Sequence, residues 1–313
     1  MSAPLVSDTT HGERARLRLA VKRASGYAKG LPENWRPVLP FGRKEFLLMP
    51  NSTVPESPRR MSIPRSRRLV IDLMWLRKDV PTTAHSRNCD LSPVVAARDH
   101  AGERIAWSML FIKAYAIVAK KYPPLRQVFM KWPWPHLFQN PASVASVVTH
   151  RDVDGEPWLF WTRFIQPESQ SLVNLQRQMD AHQSDPVQQI FRREWVFSGF
   201  PTPLRRILWW WTINVSGRKR VKRCGTFCLT TIGSRGAEIC DPPGFLTGNL
   251  TFGPIDATGG CRITLSYDHR LLDGRMVADI LADVEQTLNT LLVAELQKIS
   301  SSKRDAAESQ RAA

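Results

Sequence analysis

Acidic side chains are scarce in this sequence. Twenty-eight Asp and Glu stand against forty-four Lys and Arg, leaving a formal charge of +16. Between Pro201 and Arg223 there is no acidic residue at all. Such an imbalance points to an anionic partner: nucleic acid, an acidic membrane surface or a phosphorylated cofactor. No nucleic-acid-binding motif accompanies the charge, so nucleic acid is not expected. Long apolar runs are also missing. Nothing approaches the ~20 residues of a spanning helix, and the N-terminus has no apolar core of the signal-peptide kind. The expectation is a cytoplasmic protein, at most peripheral on the inner face of the cytoplasmic membrane. Cysteine is sparse and odd in number: Cys89, Cys224, Cys228, Cys240 and Cys261. That excludes a fully paired disulfide framework and suits a reducing compartment. Cys224 and Cys228 lie four apart, but no second pair answers them at zinc-site spacing, so they read as buried thiols and no metal is expected.

What is present suits a globular protein. The 313 residues are 42% hydrophobic and 23% charged, enough for a sizeable core in one large domain or two small ones. Eleven tryptophans are many for this length, and tryptophan favours places where an apolar body meets a polar edge. Residues 1–66 read as a basic, Pro- and Ser-containing arm, with a basic stretch over residues 14–22. Residues 67–297 read as the folded domain, with a Trp-rich basic insert at 201–223. Residues 298–313 read as a polar tail.

Within the domain, residues 69–75 (Leu-Val-Ile-Asp-Leu-Met-Trp) read as a strand. Residues 107–122 form a helix apolar on most faces, closed by Pro123-Pro124. Strands are expected at 143–148 and 158–165, joined by a turn at Asp154-Gly155. A helix covers 171–181. Another starts at Asp185 as cap, with Pro186 in its first turn and an apolar stripe of Val187, Ile190, Phe191 and Trp195. Strands follow at 226–232, 246–252 and 261–267. In the last, Cys261, Ile263, Leu265 and Tyr267 alternate with Arg262, Thr264 and Ser266, a half-buried pattern. Residues 275–292 form a helix with one apolar face.

Between that strand and that helix stands Leu265-Ser266-Tyr267-Asp268-His269-Arg270-Leu271-Leu272-Asp273-Gly274. A histidine on a short connection can reach a cleft, and imidazole exchanges protons near neutral pH. Asp273 can anchor the connection or cap the helix, and Gly274 permits a tight turn. The segment resembles the catalytic signature of the dihydrolipoamide acyltransferases and chloramphenicol acetyltransferase. Gly225-Thr226-Phe227-Cys228-Leu229-Thr230-Thr231-Ile232-Gly233 is similar to the family strand that carries a Ser or Thr near its end. Asp241-Pro242-Pro243 resembles the turn after it, and Phe111-Ile112-Lys113-Ala114 the early helix. The resemblance spans roughly residues 67–295.

It implies an α+β fold of the chloramphenicol acetyltransferase type, a mixed sheet with flanking helices, assembled as a homotrimer with active sites between subunits. His269 would be the general base and Thr230 the oxyanion donor from the neighbouring subunit, with Thr231 beside it as the alternative. Asp273 would orient the loop through an arginine, for which Arg67 and Arg68 are the candidates, and Gly274 would complete the substrate-binding turn. No bound cofactor is implied; an acyl-CoA or acyl carrier protein would be the co-substrate, and the acyl group would pass to a hydroxyl or amine. The arm carries no lipoyl-attachment motif, which sets the chain apart from dehydrogenase-complex cores. The Trp-rich insert reads as an interfacial element, with Trp209, Trp210 and Trp211 at headgroup depth and Arg218, Lys219 and Arg220 against anionic lipid. The other reading is a buried aromatic helix with a solvated basic loop. Two alternatives to a membrane-associated acyltransferase remain: a stand-alone relative acting on a soluble acceptor, and a non-catalytic basic scaffold.

Overall fold

The computed structural model describes residue 60 and residues 62–312, with side chains to residue 303. The basic stretch over residues 14–22 and nearly all of the arm lie outside the described residues. The described chain opens with α1 (Arg65–Arg77), β1 (Thr82–Asp90), α2 (Ser92–His100) and α3 (Trp107–Lys121). The hairpin β2 (Gln127–Met130) and β3 (His136–Gln139) precedes the long pair β4 (Val144–Val153) and β5 (Glu156–Ile165). A helical stretch follows: α4 (Leu172–Ser184), α5 (Val187–Ile190), α6 (Arg192–Ser198), α7 (Thr202–Asn214) and α8 (Gly217–Cys224). Then come β6 (Phe227–Thr230), β7 (Gly248–Phe252) and β8 (Gly260–Asp268). Finally α9 (Gly274–Thr287) runs through a π-helical turn into α10 (Val293–Ala312).

Six strands form one mixed sheet in the order β1-β8-β7-β6-β4-β5. β6 pairs in parallel with both β4 and β7, and the remaining pairings are antiparallel. Local chemistry explains several boundaries. Asp154 and Gly155 both take positive φ (53° and 77°), the two-residue turn that matches strand twist and joins β4 to β5. The Ser171 hydroxyl accepts from the Asn174 N–H and caps α4. Gly225 (φ 90°) ends α8 where a Cβ would stand 2.8 Å from the Ser146 hydroxyl and the Val144 carbonyl, so only glycine fits.

The sheet's inner face packs on α3 and α9. Phe111 stacks on Phe252 at 4.2 Å and Tyr115 meets Phe227 at 4.2 Å. α3 is buried from Met109 to Ala116, as expected of a helix apolar on most sides. The outer face is covered too, by α1, α7 and the segment before β7. This second cover overturns the half-buried pattern expected for β8. Thr264 and Ser266 are buried along with Ile263, Leu265 and Tyr267. Their hydroxyls pair with Ser86 (2.8 Å) and Asp241 (3.1 Å).

Two further expectations are corrected. Residues 69–75 are helical, part of α1. A short apolar run does not distinguish helix from strand, and here Leu69, Asp72 and Leu76 share the buried side at helical spacing. Asp185 closes α4 rather than capping α5, and Pro186 stands at that N-cap without a side-chain bond. The stripe of Val187 and Phe191 does pack, against Trp158 and Phe160. The polar tail expected at 298–313 is helical as far as Ala312.

α1 and α7 are joined by a buried ion pair. Arg205 donates from Nε to Asp72 Oδ2 at 2.7 Å and from a terminal nitrogen to Oδ1 at 3.2 Å. Another nitrogen reaches the Phe200 carbonyl at 2.7 Å. Asp72→Ala strands the guanidinium in the interior and should cost about 3–5 kcal/mol of stability. Replacing both partners by similar-sized apolar residues should cost far less. Urea midpoints of the two variants test this, and equal losses would sink it.

Candidate active site

The β8–α9 turn is held by its own side chains. Asp268 accepts from the Arg270 backbone N–H (3.1 Å), its Nε (2.8 Å) and a terminal nitrogen (2.6 Å). The Arg270 guanidinium also lies 4.2 Å over the Phe129 ring. At the other end, Asp273 Oδ1 accepts from the Met276 N–H at 2.9 Å and caps α9. His269 sits between these two anchors, exposed, its backbone N–H donating to the Pro81 carbonyl at 3.0 Å. Its imidazole makes no hydrogen bond among the described residues and lies 5.6 Å from the Tyr267 ring. Burial, and then the nearby Asp273 charge, pushes the Tyr267 phenol above its ordinary pKa.

Asp273 and Gly274 close the turn. Asp273 forms no ion pair among the described residues; Arg68 donates instead to the Ser198 carbonyl (3.3 Å) and Arg67 is exposed. Its role within the chain is the helix cap. Gly274 needs no left-handed backbone. Its want of a side chain serves a close approach, since a Cβ would stand 3.3 Å from His85 Nε2. His85 stacks on the other side of the cluster, 5.6 Å from Tyr267.

The two threonines differ in a way the sequence does not display. Thr231 donates its hydroxyl proton to the Phe252 carbonyl (2.8 Å) and accepts from the Gly233 N–H (3.1 Å). It is committed to the backbone. Thr230 is half-buried on the outer face of β6 and lines a large cavity, with no side-chain hydrogen bond among the described residues. Its hydroxyl is the one free to serve a ligand.

Strand register keeps Thr230 and His269 apart. Thr230 pairs with Thr251, and Thr251 with Thr264. His269 lies five residues beyond Thr264, on the order of 17 Å along the strand, with two strand spacings of about 5 Å each across. One chain cannot bring these two groups to the same carbonyl.

The Trp-rich insert is a pair of helices. Trp210 and Trp211 are 44% and 54% exposed. Trp209 is half-buried against Phe197 and Phe245. Arg218 and Lys219 are exposed. Arg220 is not: it donates to the Phe129 and Phe245 carbonyls, both at 2.9 Å, and desolvation lowers its pKa to about 10. Its place facing a lipid surface is withdrawn, because it braces β2 instead. The sequence reading missed a second aromatic group. Trp132 and Trp134, at the β2–β3 tip, are 52% and 71% exposed, and the Trp132 ring lies 6.5 Å from that of Trp210. The Trp-Pro-Trp-Pro run between two short strands was the available signal.

With this geometry in hand, comparison with solved structures defines the fold. A truncated catalytic core of the 2-oxoacid dehydrogenase multienzyme complex from Thermoplasma acidophilum matches with a TM-score of 0.55 at 15% identity, over 74% of this chain and 99% of that one. The dihydrolipoamide acetyltransferase of Azotobacter vinelandii matches with 0.53 at 15% identity, over 78% and 97%. In that enzyme a serine, a histidine and an asparagine four positions after the histidine have been studied for their role in the catalytic mechanism. A probable dihydrolipoamide acetyltransferase from Listeria monocytogenes matches with 0.52 at 16% identity, over 78% and 96%. No family model matches the sequence, and no curated protein matches it significantly. The α+β fold implied by the histidine motif is therefore the fold observed, a mixed sheet with flanking helices like that of these catalytic cores.

All five thiols are free. Burial pushes Cys224 up to about 11 and Cys228 to about 12, and likewise Cys89 to about 12 and Cys261 to about 11. Cys240 is exposed. A thiol-reactive dye at mild pH should therefore label Cys240 quickly, the half-buried Cys228 more slowly, and Cys89, Cys224 and Cys261 only on unfolding. Because the unfolded chain ionises its thiols near pH 9 and the folded one does not, stability should fall as pH rises from about 9 toward 12. Rapid labelling of Cys89, Cys224 or Cys261 in the native protein would contradict the burial.

Proposed function

We propose that this chain is an acyltransferase of the thioester-using kind, with His269 as general base and Thr230 of a neighbouring copy as oxyanion donor in a homotrimer. The observation that carries the reading is the pairing of an exposed, hydrogen-bond-free imidazole on an anchored turn with a free threonine hydroxyl that the same chain holds out of its reach. The four-residue spacing of His269 and Asp273 repeats that of the histidine and asparagine studied in the Azotobacter enzyme.

In this mechanism an imidazole nitrogen of His269 takes the proton of an acceptor hydroxyl or amine. The freed lone pair attacks the thioester carbonyl carbon and forms the tetrahedral adduct. The Thr230 hydroxyl donates to the oxygen as it gains charge; one such donor is typically worth ~10²–10³ in rate. The adduct collapses with cleavage of the carbon–sulfur bond, and the leaving sulfur recovers the proton from the imidazolium. No covalent enzyme intermediate is required, because positioning and proton transfer suffice for an activated thioester. The acyl donor is acyl-CoA or an acyl carrier protein, in keeping with the strong positive charge.

The acceptor is lipidic and met at an anionic membrane surface. Support comes from the adjoining exposed rings of Trp132, Trp134, Trp210 and Trp211, with Arg218 and Lys219 on the following helix. No helix among the described residues is long and apolar enough to cross a membrane, so attachment is to the surface.

His269→Ala and Thr230→Ala should each lower turnover by two orders of magnitude or more while leaving assembly intact. Mixing the two inactive chains and allowing subunits to exchange should restore part of the activity, since some interfaces then hold both groups. Thr231→Ala should instead lower stability. Failure of the mixture to recover activity, despite exchange shown by mass spectrometry, removes the shared site.

Vesicles containing phosphatidylserine should bind the protein, each basic residue near the surface adding about 1 kcal/mol. Binding should weaken with salt and with Trp132, Trp210 and Trp211 all changed to Ala. Unaltered vesicle binding by the folded triple variant would place the contact elsewhere.

A further inference from the structure

The outer face of the sheet does not pack solidly against its second cover. Between β4, β5 and β6 on one side and α1, α6 and α7 on the other lies a cavity of about 1340 Å³. Pockets for drug-sized ligands run to about 300–1,000 Å³, so this one is large. Much of its wall is aliphatic or aromatic: Leu69, Leu73, Leu159, Phe197, Leu208 and Phe245 are representative. Water in such a space would find few partners, and an apolar wall of this extent gains by covering itself with hydrocarbon.

Two features narrow the occupant. Thr230, the proposed oxyanion donor, is part of the wall. The rim is basic. Arg192, Arg193 and Arg235 are exposed there and make no side-chain hydrogen bond or ion pair among the described residues. The acidic Glu194 faces Arg163 at 3.9 Å.

We infer that this cavity is a binding site for the long aliphatic chain of an acyl group with an anionic end, the chain lying between α1 and the sheet and the anion at the arginines of the rim. The inference deepens the acyl-transfer reading and rests on it for the placing of the thioester carbonyl at Thr230. It makes the enzyme one for long-chain acyl donors, in contrast to a small acetyl group. Helix α7 then serves twice, with Leu208 and Trp209 in the cavity wall and Trp210 and Trp211 on the outside. Two sources of the ligand share this chemistry, a fatty acyl-CoA and a free fatty acid.

Calorimetric titration of the full chain with CoA thioesters of four, eight and twelve carbons, below their micelle concentrations, tests the inference. The His269→Ala protein is used, so that no turnover intrudes. Affinity should rise about fourfold per added CH₂, the equivalent of about 0.8 kcal/mol each, until the cavity is full. Free CoA should bind weakly. Dodecanoate run in parallel separates the two sources: equal affinity assigns the anion to a carboxylate, and weaker affinity assigns it to the CoA phosphates. Val70→Trp with Met74→Trp, at the partly exposed mouth, should abolish the dependence on chain length. Arg192→Glu with Arg193→Glu, on the solvent side, should weaken all anionic ligands at least tenfold while keeping that dependence. Equal affinities from four to twelve carbons would overturn the inference, as would unchanged binding in both folded variants. Chain-length-dependent binding by a wild-type protein that transfers no acyl group would instead remove the acyl-transfer reading and leave the chain site standing.

Discussion

The carboxylate of Asp72 and the guanidinium of Arg205 meet where water does not reach, and the second layer of this fold hangs on their meeting. Both side chains are essentially fully buried. Paired on two nitrogens and held further by the Phe200 carbonyl, they fix the register of α1 against α7. A buried pair of this kind adds little net stability, because desolvation offsets most of the attraction. Its effect is to exclude other packings, since any slip would leave a charge unpaired.

That layer changes the nature of the sheet. With only α3 and α9 on the inner face, Thr264, Ser266, Asn249 and Thr251 would face solvent. Covered, they must be satisfied within the protein or by something bound. Ser86 and Asp241 satisfy two of them. Asn249 Oδ1 and Thr251 Oγ1 remain unpaired, on the face where the cavity opens. The cover thus buries polar groups and leaves a large apolar space beside them, and the unpaired groups among them cost stability.

The turn after β8 shows how little machinery positions the imidazole. Asp268 holds Arg270, Asp273 holds the first turn of α9, and the backbone of His269 is pinned to Pro81. The first two bonds are local, whereas the third joins His269 to Pro81, 188 residues earlier in the chain and just before β1. The oxyanion donor depends on quite different contacts, since β6 is placed by parallel pairing with β4 and β7, strands distant in sequence. The two halves of the proposed site are therefore built independently and meet only between copies.

The sequence alone determined the elements whose signal is local. The helix at 107–121, the hairpin turn at Asp154-Gly155 and the strand–histidine–helix segment all depend largely on neighbours within a few residues. The periodicity and side-chain chemistry that form them are written in order along the chain. What depended on distant partners was not legible. Residues 69–75 read as a strand because a short run with six apolar residues in seven satisfies either period; Arg205, 133 residues away, makes the helical side of Asp72 the buried one. β1 was missed because an edge strand with only Cys89 buried shows no alternation. Arg220 read as a surface charge because its acceptors, the carbonyls of Phe129 and Phe245, have no side-chain signature. Thr231 stood beside Thr230 as an alternative donor until the Phe252 carbonyl took its hydroxyl and left that of Thr230 free. The cavity belongs to no segment at all. Only the tertiary structure decided these points, because burial and hydrogen-bond partnership are properties of what is brought alongside.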